Sequence, residues 1–79
     1  MIKMKEKLFF ALAEVFEIDV NNIKEENIFR DYENYSSLTE LSILAMLDSE
    51  FGIEIEMKEY NNYKTIGNLL QLVIERSAI

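Results

Sequence analysis

A chain of 79 residues with 49% apolar side chains is enough for a single domain, residues 1–79, around one small core, and its composition excludes a disordered chain. It has no cysteine and no histidine, which excludes disulfides, thiolate metal sites and any Ser-His-Asp or Cys-His set, so no enzyme and no catalytic residue is expected. The net charge of −7 is concentrated in residues 14–59, with 13 acidic and 3 basic side chains; such acidity repels nucleic acid and anionic membrane and suits steering toward basic patches on other proteins.

The basic start Met1-Ile2-Lys3-Met4-Lys5 lacks the small-residue cleavage site of a signal peptide, and no apolar stretch is long enough to cross a bilayer. A cytoplasmic monomer is expected. The first predicted element is a helix over about Met4–Phe16, with Leu8, Leu12, Val15 and Phe16 at helical spacing and Phe9 and Ala13 widening the stripe. Glu17-Ile18-Asp19-Val20-Asn21-Asn22 ends it with turn-forming residues. Residues 17–36 then make a long connection, a length that a compact domain keeps when the segment has a function or packs on itself. Ile18, Ile23, Ile28 and Phe29 are predicted to pin it to the core. Asp31-x-Glu33-x-Tyr35 is not a calcium loop, because Ser36 and Ser42 stand where an EF-hand needs a glycine and an acid.

The second helix is predicted to begin at Ser37. Ser37-Leu38-Thr39-Glu40 fits a capping box, with Ser36 as the alternative N-cap, and Gly52 ends the helix in a left-handed conformation. Residues 51–56 alternate apolar and charged, but no second strand is available to pair with them, so an extended connector is expected. Met57–Asn61 is a short helical turn. Glu54, Glu56 and Glu59 are a solvated charge run, and no metal site is predicted. The last helix starts at Thr65, a good N-cap, and runs to about Arg76 with Ile66, Leu69, Leu70 and Val73 as its apolar stripe. Three long helices and one short one give an all-α four-helix bundle.

The second helix carries apolar residues on two sides. At 100° per residue, Ile43, Leu44, Leu47 and Phe51 share the side predicted to face the core. Leu38, Leu41 and Ala45 fall roughly opposite, beside Asp48. Burial of Leu38 or Leu41 is worth about 1.5–3 kcal/mol each. Either the 17–36 connection covers this second face or it is a partner surface. Ala45, Met46, Ile55 and Ile66 are candidates for lining an acyl tail, though plain core is the favoured reading. Ser37 alone reads as a helix cap; with no base for a serine nucleophile in the chain, its other reading is a hydroxyl modified by another enzyme.

Tyr35-Ser36-Ser37-Leu38-Thr39-Glu40-Leu41, the run Glu50-Phe51-Gly52-Ile53-Glu54-Ile55 and Thr65-Ile66-Gly67-Asn68-Leu69 together resemble the acyl carrier protein family, without gaps from about Phe29 to Val73. The resemblance implies the acyl-carrier type of bundle, with 4'-phosphopantetheine attached to Ser37 by a phosphopantetheinyl transferase and acyl or aminoacyl groups held on the arm as thioesters. It also implies docking of acyl-loading and acyl-processing enzymes, through their basic patches, on Leu38, Leu41 and Ala45 with the acids Glu40 and Asp48. Ser36 stands where the family has aspartate, Thr39 and Ser42 where carboxylates are usual, Asn34 in place of a loop glycine and Glu33 in place of a leucine. Asn34 can also adopt the positive φ of that glycine, and Tyr32 or Tyr35 can take over the packing of the leucine. These departures suggest a specialised carrier; the alternative is an acidic helical interaction module that is never modified.

Overall fold

The computed structural model describes residues 3–77; Met1 and Ile2, which open the basic start, and the last two residues lie outside them. The elements are α1 (Met4–Phe16), α2 (Ser37–Phe51), α3 (Met57–Tyr60) and α4 (Ile66–Ser77), with short 3-10 turns at Val20–Asn22 and Phe29–Asp31 in the long connection. No strand occurs among the described residues, and residues 53–56 are extended, as the lack of a pairing partner requires. The acyl-carrier type of helical bundle read from the sequence is the fold observed.

α1, α2 and α4 each pack against the other two. They bury Leu8, Leu12, Ala13 and Phe16 from α1, Ile43, Met46 and Leu47 from α2, and Ile66, Leu69, Leu70, Leu72 and Val73 from α4. Ile23, Phe29, Ile53 and Tyr60 complete the same core from the connections and α3. Val15, Leu44 and Phe51, predicted as core, are only half-buried at its margin. The connection is pinned as expected by Ile23 and Phe29, with Ile18 packed at the edge, whereas Ile28 is 47% exposed. Ile28 contributes through its backbone instead, in a single antiparallel bridge with Thr65. Beside it the Phe29 N–H donates to the Lys64 carbonyl (3.2 Å).

This bridge also seats α4. The N–H of Ile66 donates to the Asn27 carbonyl (2.9 Å) and that of Gly67 to the Glu25 carbonyl (2.8 Å), so the connection satisfies donors that a helix start leaves orphaned. A Cβ on Gly67 would lie 3.2 Å from the Glu25 carbonyl oxygen, which explains a glycine after Thr65-Ile66. Thr65 caps α4 as predicted: its hydroxyl accepts from the Asn68 N–H (3.1 Å), and the Asn68 side-chain oxygen accepts from the N–H of Thr65 (3.0 Å).

Gly52 ends α2 at φ 66°, returning its N–H to the Asp48 carbonyl. Nothing crowds the position a Cβ would take there, so Gly52→Ala meets only the conformational penalty. A loss of about 1 kcal/mol is expected in urea unfolding, with the midpoint moved and the slope unchanged. Glu17 takes the same left-handed role after α1 (φ 58°). Asn34 does not, since Glu17 is the one non-glycine residue with positive φ among the described residues. The loop reaches Ser36 without the left-handed turn that a glycine would permit.

Candidate functional site: the N-terminal tip of α2

The start of α2 is built by residues 34–40. Ser36, not Ser37, is the N-cap. The Thr39 N–H donates to the Ser36 hydroxyl oxygen (3.4 Å), and the Ser36 N–H donates back to the Thr39 hydroxyl (3.1 Å), which itself donates to the Asn34 carbonyl (3.2 Å). The predicted Ser37–Glu40 capping box is therefore shifted by one residue, with Thr39 as the reciprocal partner. Thr39 succeeds because its short hydroxyl closes the box locally, while the Glu40 carboxylate is drawn elsewhere.

The shift determines what Ser37 can do. It occupies the first helical position and is exposed. Among the described residues no side chain or backbone group hydrogen-bonds to its hydroxyl, whereas the Ser36 and Thr39 hydroxyls are both engaged. A modified hydroxyl must be reachable and free of structural duty, and Ser37 meets both conditions. An anion attached there would also lie beside the unpaired N–H groups and positive dipole end of α2. The residues present thus fit a phosphodiester-linked group.

Down the outer face of α2, Leu38 is 72% and Leu41 58% exposed, and Ala45 and Asp48 are exposed as well. The 17–36 connection does not cover this face. Beside it a groove of about 780 Å³ runs between α1 and α2, lined by Phe10, Ala11, Val15, Ser42, Ala45 and Met46 among others. Of the four candidate tail-lining residues, Met46 and Ile66 are core, Ile55 is half-buried and Ala45 is exposed.

Glu40 is separated from that face. Its half-buried carboxylate accepts from the Tyr35 hydroxyl (2.9 Å) and lies 4.0 Å from Arg30 Nε. The Tyr35 hydroxyl also bonds to that of Tyr60 (2.7 Å), which belongs to a fully buried side chain. The Arg30 guanidinium lies 4.8 Å from the ring centroids of both Phe29 and Tyr60 and donates to the carbonyls of Tyr63 and Tyr60. Burial, the largest cause, pushes the Tyr35 and Tyr60 hydroxyls above the ordinary phenol range, so both stay neutral. This cluster was not anticipated from sequence. Its one available signal was Arg30, the single basic side chain between Lys24 and Lys58. Tyr32 and Tyr35 do supply packing near the missing loop leucine, Tyr32 edge-on to Phe16 at 4.6 Å and Tyr35 tilted against Phe29 at 6.2 Å.

Among the described residues no cluster of metal-ligating side chains occurs, and Glu59 of the acidic run pairs with Arg76 and Tyr63. No helix among them is long and apolar enough to cross a membrane. Residues 6–73 match the family described as the phosphopantetheine attachment site. The chain is 27% identical over 73 residues to an acyl carrier protein of Thermosynechococcus vestitus, covering 92% of this chain and 90% of that one. It is 26% identical over 77 residues to an acyl carrier protein of Acidothermus cellulolyticus, covering 92% of each. A third, from Lactobacillus acidophilus, is 28% identical over 67 residues, covering 85% of this chain and 84% of its own.

Proposed function

Since the chain belongs to the phosphopantetheine attachment-site family, that of the acyl carrier proteins, we propose that Ser37 is the residue that carries the arm and that the chain presents thioester-bound acyl groups to partner enzymes. The observation that supports this most directly is the division of labour between two adjacent serines: Ser36 caps α2, and Ser37 stands exposed with no hydrogen-bond partner for its hydroxyl among the described residues. A phosphopantetheinyl transferase would move the arm from coenzyme A: the Ser37 oxygen bonds to the phosphorus of the arm, the pyrophosphate bond breaks to release adenosine bisphosphate, and the hydroxyl proton is lost, which leaves a phosphodiester. The arm supplies a thiol on a flexible tether; the protein supplies position.

Tethering raises the effective concentration of the cargo at whichever enzyme the carrier docks on. Leu38, Leu41 and Ala45 form the docking stripe in this reading. Asp48 beside them steers basic partner surfaces, in an acidic chain of net charge −7. Glu40 serves that role only through its field, because its carboxylate is held by Tyr35 and Arg30. The chain works as a carrier without catalysis of its own, as a cytoplasmic monomer.

Co-expression with a broad-specificity phosphopantetheinyl transferase, followed by intact mass measurement, tests the assignment. The expected result is one added arm on the wild type, none on Ser37→Ala, and one on Ser36→Ala. The Ser36→Ala protein should unfold about 1 kcal/mol more easily, because it loses the cap. An arm on Ser36, or an arm retained by Ser37→Ala, would refute the assignment. No added mass with any transferase would leave the exposed stripe as the binding feature and point to an unmodified interaction module.

A further inference from the structure

On the reading that Ser37 bears the arm, we infer that this carrier holds its acyl group outside the bundle, and so serves short or polar acyl cargo and not long alkyl chains. Glu40 and Leu44 lie one and two turns below Ser37 on its own side of α2. A tail folding back from the tip along α2 toward the core meets Glu40 first. That position is closed by the Glu40 carboxylate on the Tyr35 hydroxyl, by the Tyr35–Tyr60 bond and by the guanidinium of Arg30 against the Phe29 and Tyr60 rings.

Methylene groups passing there would displace Glu40 and Tyr35. They would leave the hydroxyl of Tyr60, a wholly buried side chain, without a partner that a hydrocarbon can replace. An apolar lining could part and close around a chain with no such loss. This seal is aromatic, charged and hydrogen-bonded: the Tyr35 hydroxyl joins the Glu40 carboxylate to the Tyr60 hydroxyl, and Arg30 donates to the carbonyls of Tyr60 and Tyr63. The core that Phe29 and Tyr60 share with Leu47 and Val73 is fully buried. A short acyl group, or one with polar groups along its length, has no need of the interior and loses nothing by remaining in water.

The test uses the lack of cysteine in the chain. Ser37→Cys is coupled to a thiol-reactive spacer of pantetheine length ending in either an acetamide or an octanamide. The two adducts are expected to melt within about 1 °C of each other, since a tail that buries no surface adds no transfer free energy. Backbone amide resonances of Leu44, Leu47 and Tyr60 should coincide in the two adducts. An octanamide adduct that melts about 4 °C or more above the acetamide adduct, or that shifts those resonances, overturns the inference.

In the Tyr35→Ala/Glu40→Ala background the seal is removed. There the octanamide adduct is expected to melt several degrees above the acetamide adduct; equal melting in that background would show that the cluster is not what excludes the chain. The coupling needs no transferase. Failure of the Ser37 assignment therefore appears as a missing mass increment, and failure of this inference as a protected octanamide tail.

Discussion

Phe29→Ala is expected to lower the unfolding free energy by about 3–5 kcal/mol, the usual cost of deleting a fully buried aromatic ring. A domain of this size has on the order of 4–12 kcal/mol in total, so the variant loses a quarter of its stability at the least. The ring is inaccessible to solvent and packs against Tyr60 at 5.5 Å and Tyr35 at 6.2 Å. It also supports Arg30, whose guanidinium lies 4.8 Å from its centroid. Removing it opens a cavity and frees the long connection from the core, so the loss exceeds the transfer free energy of the ring alone. Urea unfolding followed by circular dichroism measures it. A loss below about 1 kcal/mol would mean that the connection is held by its backbone bonds to α4 and not by this side chain.

The second large effect is expected on function and not on stability. Leu38→Ala/Leu41→Ala removes two exposed side chains from an unpartnered face, so the unfolding free energy from urea denaturation should stay within about 0.5 kcal/mol of the wild type. If the stripe is a docking surface, the same pair should lower kcat/KM of a phosphopantetheinyl transferase by about 10–100-fold, since a few central residues carry most of an interface's energy and each buried leucine side chain is worth about 1.5–3 kcal/mol. Ser37 is untouched in this variant, and a slow reaction that still adds a single arm would locate the defect in docking. Unchanged kinetics would move the partner surface elsewhere.

The helices were legible because each is fixed by local signals. The bounds Met4–Phe16 follow from the stripe and the turn residues after it, Gly52 marks a left-handed stop, and Thr65 caps the last helix. The outward face of α2 was also readable, since Leu38, Leu41 and Ala45 diverge in angle from Ile43 and Leu47. What failed depended on contacts distant in sequence. Either serine suits the cap, and either Thr39 or Glu40 can answer it. The choice is decided by Tyr35 and Arg30, which take the carboxylate of Glu40 away. Val15 and Leu44 share a helical period with core residues yet lie at the margin, while Leu72 widens the buried side of α4 beyond its predicted stripe. The periodicity of one helix does not record how wide its neighbours are.

A hydroxyl at the head of α2 does not titrate in the range where carboxyl groups take up protons. A carboxylate in that place would relax its grip on the backbone as acid neutralised it. Ser36 will keep hold of Thr39 through that range, so on the reading that Ser37 is the acceptor its helix cap does not itself loosen with acidity. Slower modification in mild acid would then originate in the enzyme or in fading attraction between the two surfaces, and not in an unravelling of the acceptor.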